Sequence, residues 1–165
     1  MEEMARLFVG LPLSEEARSS LWAFAQTLTD CRPVRRDMYH ITLCFLGMRP
    51  RRDMERIART VSAVERPPLT LTLGGAGSFK KGDILWAGLQ DPPEALFAYQ
   101  KALARALDME EEVYRPHITL ARRAVHARFT GAPRPVTFSV PSVILYERLR
   151  ENERLVYRPR YTFTI

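Results

Sequence analysis

Apolar residues along this chain follow two periods, and each period predicts a different kind of element. Short runs that alternate or are continuously apolar, bounded by glycine or proline, predict strands. The predicted strands cover residues 6–13, 39–46, 69–73, 84–89, 117–120, 135–149 and 155–165. Apolar side chains spaced three or four residues apart predict three helices between them. Their inward stripes are Ala17, Leu21, Phe24 and Leu28, then Met54, Ile57, Val61 and Val64, then Leu96, Leu103 and Leu107.

Capping and turn residues place several element boundaries. Ser14 caps the first helix, Asp53 begins the second, and Asp91 starts the third. The second strand is expected to stop at Gly47, and the glycines within residues 74–77 predict a turn or bulge. The order of elements predicts an α+β fold with a mixed, mostly antiparallel sheet and helices on its outer faces.

The tetrapeptide His-Ile-Thr-Leu occurs twice, at residues 40–43 and 117–120. Side chains alternate along a strand, so His40 and Thr42 share one face, as do His117 and Thr119. A break at residues 66–68 divides the chain between the two copies. The sequence therefore predicts two α+β halves, each with one strand that presents an imidazole and a hydroxyl to the same surface.

This constellation indicates acid–base chemistry on phosphorus. Two imidazoles that titrate near neutral pH can serve as general acid and general base, and threonine and arginine can hold phosphoryl oxygens. We expect phosphodiester cleavage without a metal or another cofactor. The simpler alternative is that both histidines are ordinary strand residues without a chemical role. Two copies in the same register argue against this alternative. A metal site is the other alternative, and the polar faces of the motifs add only Cys44 as a further ligand.

The charge distribution changes the expected partner. Lysine and arginine total 25 against 19 aspartate and glutamate, a formal net charge of +6. Two basic segments, at residues 32–59 and 113–146, each contain one motif. A basic surface favours a polyanion such as nucleic acid, although a genome rich in G and C would also favour arginine over lysine.

Other features bear on location. Glu2 and Glu3 stand where a secretory signal would be basic, and no apolar run reaches the roughly 18 residues of a membrane helix. Cys31 and Cys44 indicate reduced thiols rather than a disulfide scaffold. We therefore predict a cytoplasmic protein without membrane contact. We also expect a monomer.

The two motifs and their flanks resemble the two-histidine (2H) phosphoesterase superfamily, and within it the LigT-like RNA 2′,3′-cyclic phosphodiesterases, the RNA 2′,5′-ligase family. The matching segments are residues 7–12, 39–47, 84–88, 115–122 and 145–147. The resemblance implies one domain over residues 1–165, with two pseudo-symmetric lobes around a central cleft. It also implies hydrolysis of RNA 2′,3′-cyclic phosphate ends to 2′-phosphomonoesters, with tRNA halves among the candidate substrates. Joining RNA ends through a 2′–5′ linkage would be the reverse reaction.

The resemblance also implies residue roles. His40 would be the proton donor to the leaving oxygen and His117 the acceptor that activates water, an allocation that the spacing alone does not make. Thr42 and Thr119 would bind the non-bridging phosphate oxygens, with Arg122 near the phosphate.

Some assignments stay open. Strict alternation places Arg123, not Arg122, on the face of the second motif unless the strand ends or bulges after Leu120, so both arginines remain candidates. Phe45 and Trp86 could stack a nucleobase, although packing in the core is the favoured interpretation for both.

Two departures from the family pattern affect substrate preference. Lys80 and Lys81 follow residues 77–79 where proline is frequent, and Val34 stands where tryptophan is frequent. An RNA-binding module without turnover and a phosphoesterase acting on small cyclic nucleotides are the competing functions.

Overall fold

The computed structural model describes residues 2–79 and 81–165; Met1 and Lys80, including the departure noted at Lys80, lie outside the described residues. The strands are β1 (Met4–Leu11), β2 (Arg32–Pro33), β3 (Ile41–Pro50), β4 (Thr70–Phe79), β5 (Ile84–Leu89), β6 (Ile118–Arg122), β7 (Thr137–Ser139), β8 (Ser142–Glu151) and β9 (Arg154–Thr164). The helices are α1 (Glu15–Ala25), α2 (Met54–Ala63) and α3 (Glu94–Ala106), with one-turn 3₁₀ helices at Arg36–Met38 and Arg51–Asp53.

These strands form two sheets, and the α+β class is confirmed. The first sheet has the order β3-β1-β8-β9 and the second the order β2-β6-β5-β4-β7. Every strand pair among residues 2–79 and 81–165 is antiparallel. Helix α1 contacts β6, α3 contacts β3, and α2 contacts α3.

The two sheets repeat one arrangement around the motifs. In the first sheet, β3 follows His40 and pairs with β1, which precedes a helix. In the second sheet, β6 follows His117 and pairs with β5, which also precedes a helix. The next strand inward is β8 in the first sheet and β4 in the second. The motifs therefore occupy equivalent positions in two related halves.

One face of each sheet packs into the core, which leaves the other face available for the site. In β1, Ala5, Leu7 and Val9 are almost fully buried in the main core. Alternation then places Arg6 and Phe8 on the opposite face. We call that opposite face of the first sheet, marked by Phe8, its cleft face.

Several predicted boundaries agree with the structure, and Ser14 is the clearest. Its Oγ accepts a hydrogen bond from the Ala17 backbone N–H at 3.1 Å, as an N-cap should. Strand β5 has the predicted bounds, and β8 and β9 form an antiparallel hairpin. Its turn at Asn152 and Glu153 has positive φ at both residues, as a type I′ turn requires.

Among the boundary predictions that differ from the structure, four have a clear local reason. The second strand continues through Gly47, whose φ of 71° lets the chain pass a bulge. Helix α3 begins at Glu94, because Asp91 has a φ of 42° and so cannot be an N-cap. Helix α1 ends before Leu28, where the hydroxyl of Thr27 bonds the carbonyl of Phe24.

The fourth wrong boundary is the single strand predicted over residues 135–149. Pro141 lies between β7 and β8, and β7 joins the second sheet while β8 joins the first. Proline has no N–H to donate to a ladder, so this is where the chain leaves one sheet for the other.

A buried carboxylate stabilises the core side of β8. Glu147 is 2% exposed and accepts hydrogen bonds from Arg51 and Arg160. Burial raises the pKa of Glu147, but the two guanidinium groups outweigh it and hold the pKa below its ordinary value.

Candidate active site

The two motif histidines are held in the same way. The Nδ1–H of His40 donates to the carbonyl of Met38 at 2.8 Å, and that of His117 donates to the carbonyl of Arg115 at 2.7 Å. Each carbonyl lies two residues before its histidine. Since a carbonyl can only accept, these bonds fix the neutral tautomer that leaves Nε2 as the basic nitrogen.

The surroundings of His40 are aromatic, and the residue is half-buried. Its ring centroid lies 4.9 Å from Phe8, 6.0 Å from Tyr146 and 5.2 Å from Tyr157. Its Nε2 lies 2.8 Å from Oγ1 of Thr42, so the hydroxyl donates to the neutral imidazole. The first motif therefore forms one hydrogen-bonded unit on the cleft face of the first sheet.

Burial lowers the pKa of His40 to about 4. The hydrogen bond to Met38 opposes that shift, while the positive charges of His117, Arg18 and Arg122 lower the pKa further. The three charges come from different elements: His117 belongs to the second motif, Arg18 to α1, and Arg122 to the end of β6. The second motif, with His117 and Arg122, is therefore close enough to His40 for its charges to act on the His40 imidazole.

The second motif lies on the facing sheet. Burial lowers the pKa of His117, against the effect of its bond to the Arg115 carbonyl. The Phe79 ring meets the His117 ring edge-on at 4.9 Å and stacks on Trp86 at 5.1 Å. Trp86 is the direct cross-strand partner of Thr119, so its indole shares the face of the motif.

A β-bulge follows the threonine of each motif and changes which side chains enter the cleft. In β3 the register passes from Thr42 to Cys44, so Leu43 is the extra residue. In β6 it passes from Thr119 to Ala121, so Leu120 is the extra residue. After each bulge the alternation is inverted.

In the first motif, this inversion corrects the position of Cys44. Alternation predicted its thiol on the His40 face, whereas it is 2% exposed and packed in the main core. Phe45 takes the cleft face instead. It pairs with Phe8 and is 69% exposed, so the interpretation of Phe45 as a core residue is wrong.

In the second motif, the same inversion separates the two candidate arginines. Ala121 is fully buried, and the next residue, Arg122, pairs with Ile84 on the face of Thr119 and Trp86. Arg123 lies beyond the strand with a φ of 53°. Of the two, Arg122 is the residue that the bulge brings to the cleft.

At each bulge, the backbone carbonyl of the extra residue accepts a hydrogen bond from a neighbouring element. The carbonyl of Leu43 accepts from the side-chain amide of Gln100 in α3 at 3.2 Å. The carbonyl of Leu120 accepts from the backbone N–H of Val34 at 2.8 Å. Each inversion is therefore held by a neighbouring element.

One hydrogen bond joins the first motif to the segment that precedes the second motif. The hydroxyl of Tyr114, three residues before His117, donates to the carbonyl of Thr42 at 2.8 Å. Residues that support the site without lying in a motif, such as Tyr114, Arg18 and Tyr157, were missed by the sequence reasoning. Alternation with Leu7 and Val9 could have placed Phe8 on the cleft face, but no local pattern marks the other three.

Trp86 fits into space left by two glycines. A Cβ on Gly77 would lie 2.5 Å from the indole, and one on Gly88 would lie 3.2 Å from it. Trp86 is half-buried on the face of the second sheet that carries Thr119, rather than inside the core. Glycine at the paired position of β4 and glycine two residues further along β5 are what admit an indole to this sheet surface.

Three further features of the structure bear on other kinds of site. A cavity of about 900 Å³ lies between α1 and residues 127–134, and its lining includes neither His40 nor His117. Within residues 2–79 and 81–165, no three His, Cys, Asp or Glu side chains cluster as a metal site would need. In the same part of the chain, no helix has the length and apolar character to cross a membrane.

Two antiparallel sheets that each present one His-x-Thr strand to a shared cleft define a two-histidine phosphoesterase fold. The model of the 2′-5′ RNA ligase superfamily matches residues 17–152, and the chain belongs to that superfamily.

Relatives agree with this assignment. An RNA 2′,3′-cyclic phosphodiesterase of Escherichia coli strain K12 is 30% identical, over 96% of this chain and 96% of the relative. One of Geobacillus stearothermophilus is 29% identical over 88% of this chain and 52% of its own length. The crystal structure of E. coli LigT complexed with 3′-AMP superposes with a TM-score of 0.86, at 26% identity and 99% coverage of both chains.

Proposed function

We propose that this protein opens RNA 2′,3′-cyclic phosphate ends to 2′-phosphomonoesters, with His40 and His117 as the proton-transfer pair and no metal. The observation that carries the proposal is the paired imidazole geometry, in which each Nδ1–H is tied to a backbone carbonyl and each Nε2 is the reactive nitrogen. The names of the two curated relatives support the substrate.

In the proposed reaction, water attacks the phosphorus atom while Nε2 of His117 takes its proton. The bond from phosphorus to the ribose 3′ oxygen breaks, and His40 gives that oxygen its proton. The products are a 2′-phosphate and a free 3′-hydroxyl. Thr42, Thr119 and Arg122 hold the non-bridging oxygens, where charge increases in the transition state.

The proton-donor role requires that His40 acquire its proton with the substrate. A pKa of about 4 makes this imidazole neutral at pH 7 in the substrate-free protein. An anionic cyclic phosphate placed against Nε2 favours the imidazolium form and raises that pKa. The Thr42 hydroxyl, which donates to the neutral ring, would then turn to accept or to bind the phosphate.

The same arrangement would also carry out 2′–5′ ligation. A 5′-hydroxyl would replace water as the nucleophile, the bond from phosphorus to the ribose 3′ oxygen would break, and the phosphate would then bridge the 2′ oxygen and the new 5′ oxygen. Both reactions use the same two proton transfers. We propose hydrolysis as the main reaction because water is always in excess.

Phe45 is proposed as the platform for the terminal base. Its ring is 69% exposed on the cleft face beside Phe8, which itself contacts His40. An aromatic ring in this position can stack on any base, so it would add affinity without sequence preference. The proposed partner is therefore an RNA end; tRNA halves, a monomeric state and a cytoplasmic location remain predictions from the sequence.

The test uses an oligonucleotide that ends in a 2′,3′-cyclic phosphate, incubated with chelator, with the product phosphate mapped to the 2′ or 3′ position. We expect a 2′-phosphate. His40→Ala and His117→Ala should each lower kcat by roughly 10² to 10⁴-fold, the usual contribution of a general acid or base. His126→Ala, which removes an exposed loop histidine, is the matched control. Full activity in the His117→Ala protein, or salt-sensitive RNA binding without any product, would overturn the proposal.

A further inference from the structure

Beyond the aromatic residues around His40, the cleft face of the first sheet carries a pair of arginines. Arg6 in β1 is the direct cross-strand partner of Arg148 in β8. Alternation puts Arg6 on the side of Phe8, because Ala5 and Leu7 are buried in the core. Arg148 likewise alternates with the buried Glu147 and shares the face of Tyr146.

Like charges directly opposite one another across two strands are destabilising, since their Cβ atoms are only about 4.5–5.5 Å apart. Neither arginine forms an ion pair with a carboxylate in the described part of the chain, although many other arginines do. Both are exposed. The folded protein therefore keeps two unneutralised charges side by side on the face that carries His40.

The same arrangement occurs where the proposed function already needs an anion. Arg122 has Arg32 as its direct cross-strand partner in β2, next to the second motif. At both places, two guanidinium groups face each other across a ladder on a motif-bearing sheet. A phosphate between two such groups would relieve the repulsion and accept hydrogen bonds from both.

The position of the pair relative to His40 defines what it would bind. Arg6 lies two residues from Phe8 along β1, about 6.8 Å, a distance comparable to one nucleotide step in an extended single strand. Arg148 has Tyr157 as its partner in β9, and that ring lies 5.2 Å from the His40 ring. The pair is thus one side chain away from the reacting imidazole.

We infer that Arg6 and Arg148 bind the phosphodiester that precedes the terminal nucleotide of the RNA. The inference rests on the proposed function and adds a substrate class to it. The protein prefers an oligonucleotide end to a free nucleoside 2′,3′-cyclic phosphate, because only the oligonucleotide supplies this second phosphate.

Three substrates test the inference: a nucleoside 2′,3′-cyclic phosphate, a dinucleotide with the same cyclic end, and that dinucleotide with an uncharged methylphosphonate linkage. We expect the wild type to favour the charged dinucleotide. Arg6→Gln and Arg148→Gln should each lower kcat/KM on it about tenfold, the value of one charge-assisted contact. Their activity on the nucleoside and methylphosphonate substrates should not change.

Arg154→Gln is the matched control, because Arg154 is exposed on the other face of the same sheet, opposite Glu151. Loss of the phosphate contact should also make the slope of log kcat/KM against log salt shallower by about 0.7. The double variant should melt at the same temperature as the wild type or higher, because it removes a like-charge pair.

The outcomes separate the two proposals. A wild type that opens all three substrates equally, or Arg6 and Arg148 variants that lose activity on all three equally, would overturn the second phosphate site and leave the reaction intact. A wild type that opens none of them would overturn the proposed function itself, and the phosphate site with it.

Discussion

Replacing His40 by asparagine is expected to make the protein less sensitive to acid. The imidazole has a pKa of 6.5 when unperturbed and about 4 in the folded protein. Between pH 6.5 and about pH 4, the His40 imidazole binds a proton in the unfolded chain but not in the folded protein. The free energy of unfolding therefore falls as pH falls. The penalty begins below pH 6.5 and is complete below pH 4.

The size of the penalty follows from the shift. A difference of about 2.5 pKa units corresponds to about 3 kcal/mol once the group is fully charged. Between about pH 7.5 and about pH 4.5, the linkage relation gives a loss of about 2.5 kcal/mol from His40 alone. Asparagine at position 40 can keep a donor to the Met38 carbonyl but has no charge to bury.

The assay is urea unfolding of the wild type and His40→Asn at both pH values, with free energies from linear extrapolation. Carboxylates also contribute to acid destabilisation, but they are shared, so the difference between the two proteins isolates His40. His126→Asn controls for the loss of an imidazole from an exposed loop. If His40→Asn loses as much stability as the wild type on acidification, His40 is not the buried neutral group described above.

Three further predictions concern packing and hydrogen bonding. Gly77→Val should lower the unfolding free energy by about 1–3 kcal/mol, because its Cβ would meet the Trp86 indole at 2.5 Å; the fluorescence of the displaced indole reports the change. Tyr114→Phe should cost about 1–2 kcal/mol and lower kcat more than it changes KM, because the Thr42 carbonyl loses its donor. Glu147→Gln should lower stability at pH 7 by about 3 kcal/mol in urea unfolding, because two guanidinium groups lose a buried carboxylate; equal stability of this variant would contradict the account.

The sequence predicted elements correctly where the backbone keeps a regular period. Strand β5 has a continuous apolar run between a turn and a helix start, so its bounds were correct. The Ser14 cap was correct because a side-chain oxygen before two acidic residues has one common use. Each His-Ile-Thr-Leu segment was correctly predicted to carry a strand, with one such strand in each half of the fold.

The errors arise where the backbone leaves its regular period. Strict alternation put Cys44 in the cleft, and it left Arg122 and Arg123 undecided, because a bulge adds one residue that the period does not count. Asp91 has the composition of a cap but a left-handed φ. Arg6 and Arg148 are distant in sequence, and only the strand order shows that they meet.

The two equivalent bulges place different side chains in the two halves of the cleft. The three-residue step from each motif threonine ends at Phe45 on one side and at Arg122 on the other, in equivalent places of two similar halves. If an RNA end binds here as proposed, a scaffold with near two-fold symmetry would accept it in either orientation. An aromatic ring at one of these positions and a guanidinium at the other would make the two orientations unequal, so these two side chains would set the polarity of the bound RNA.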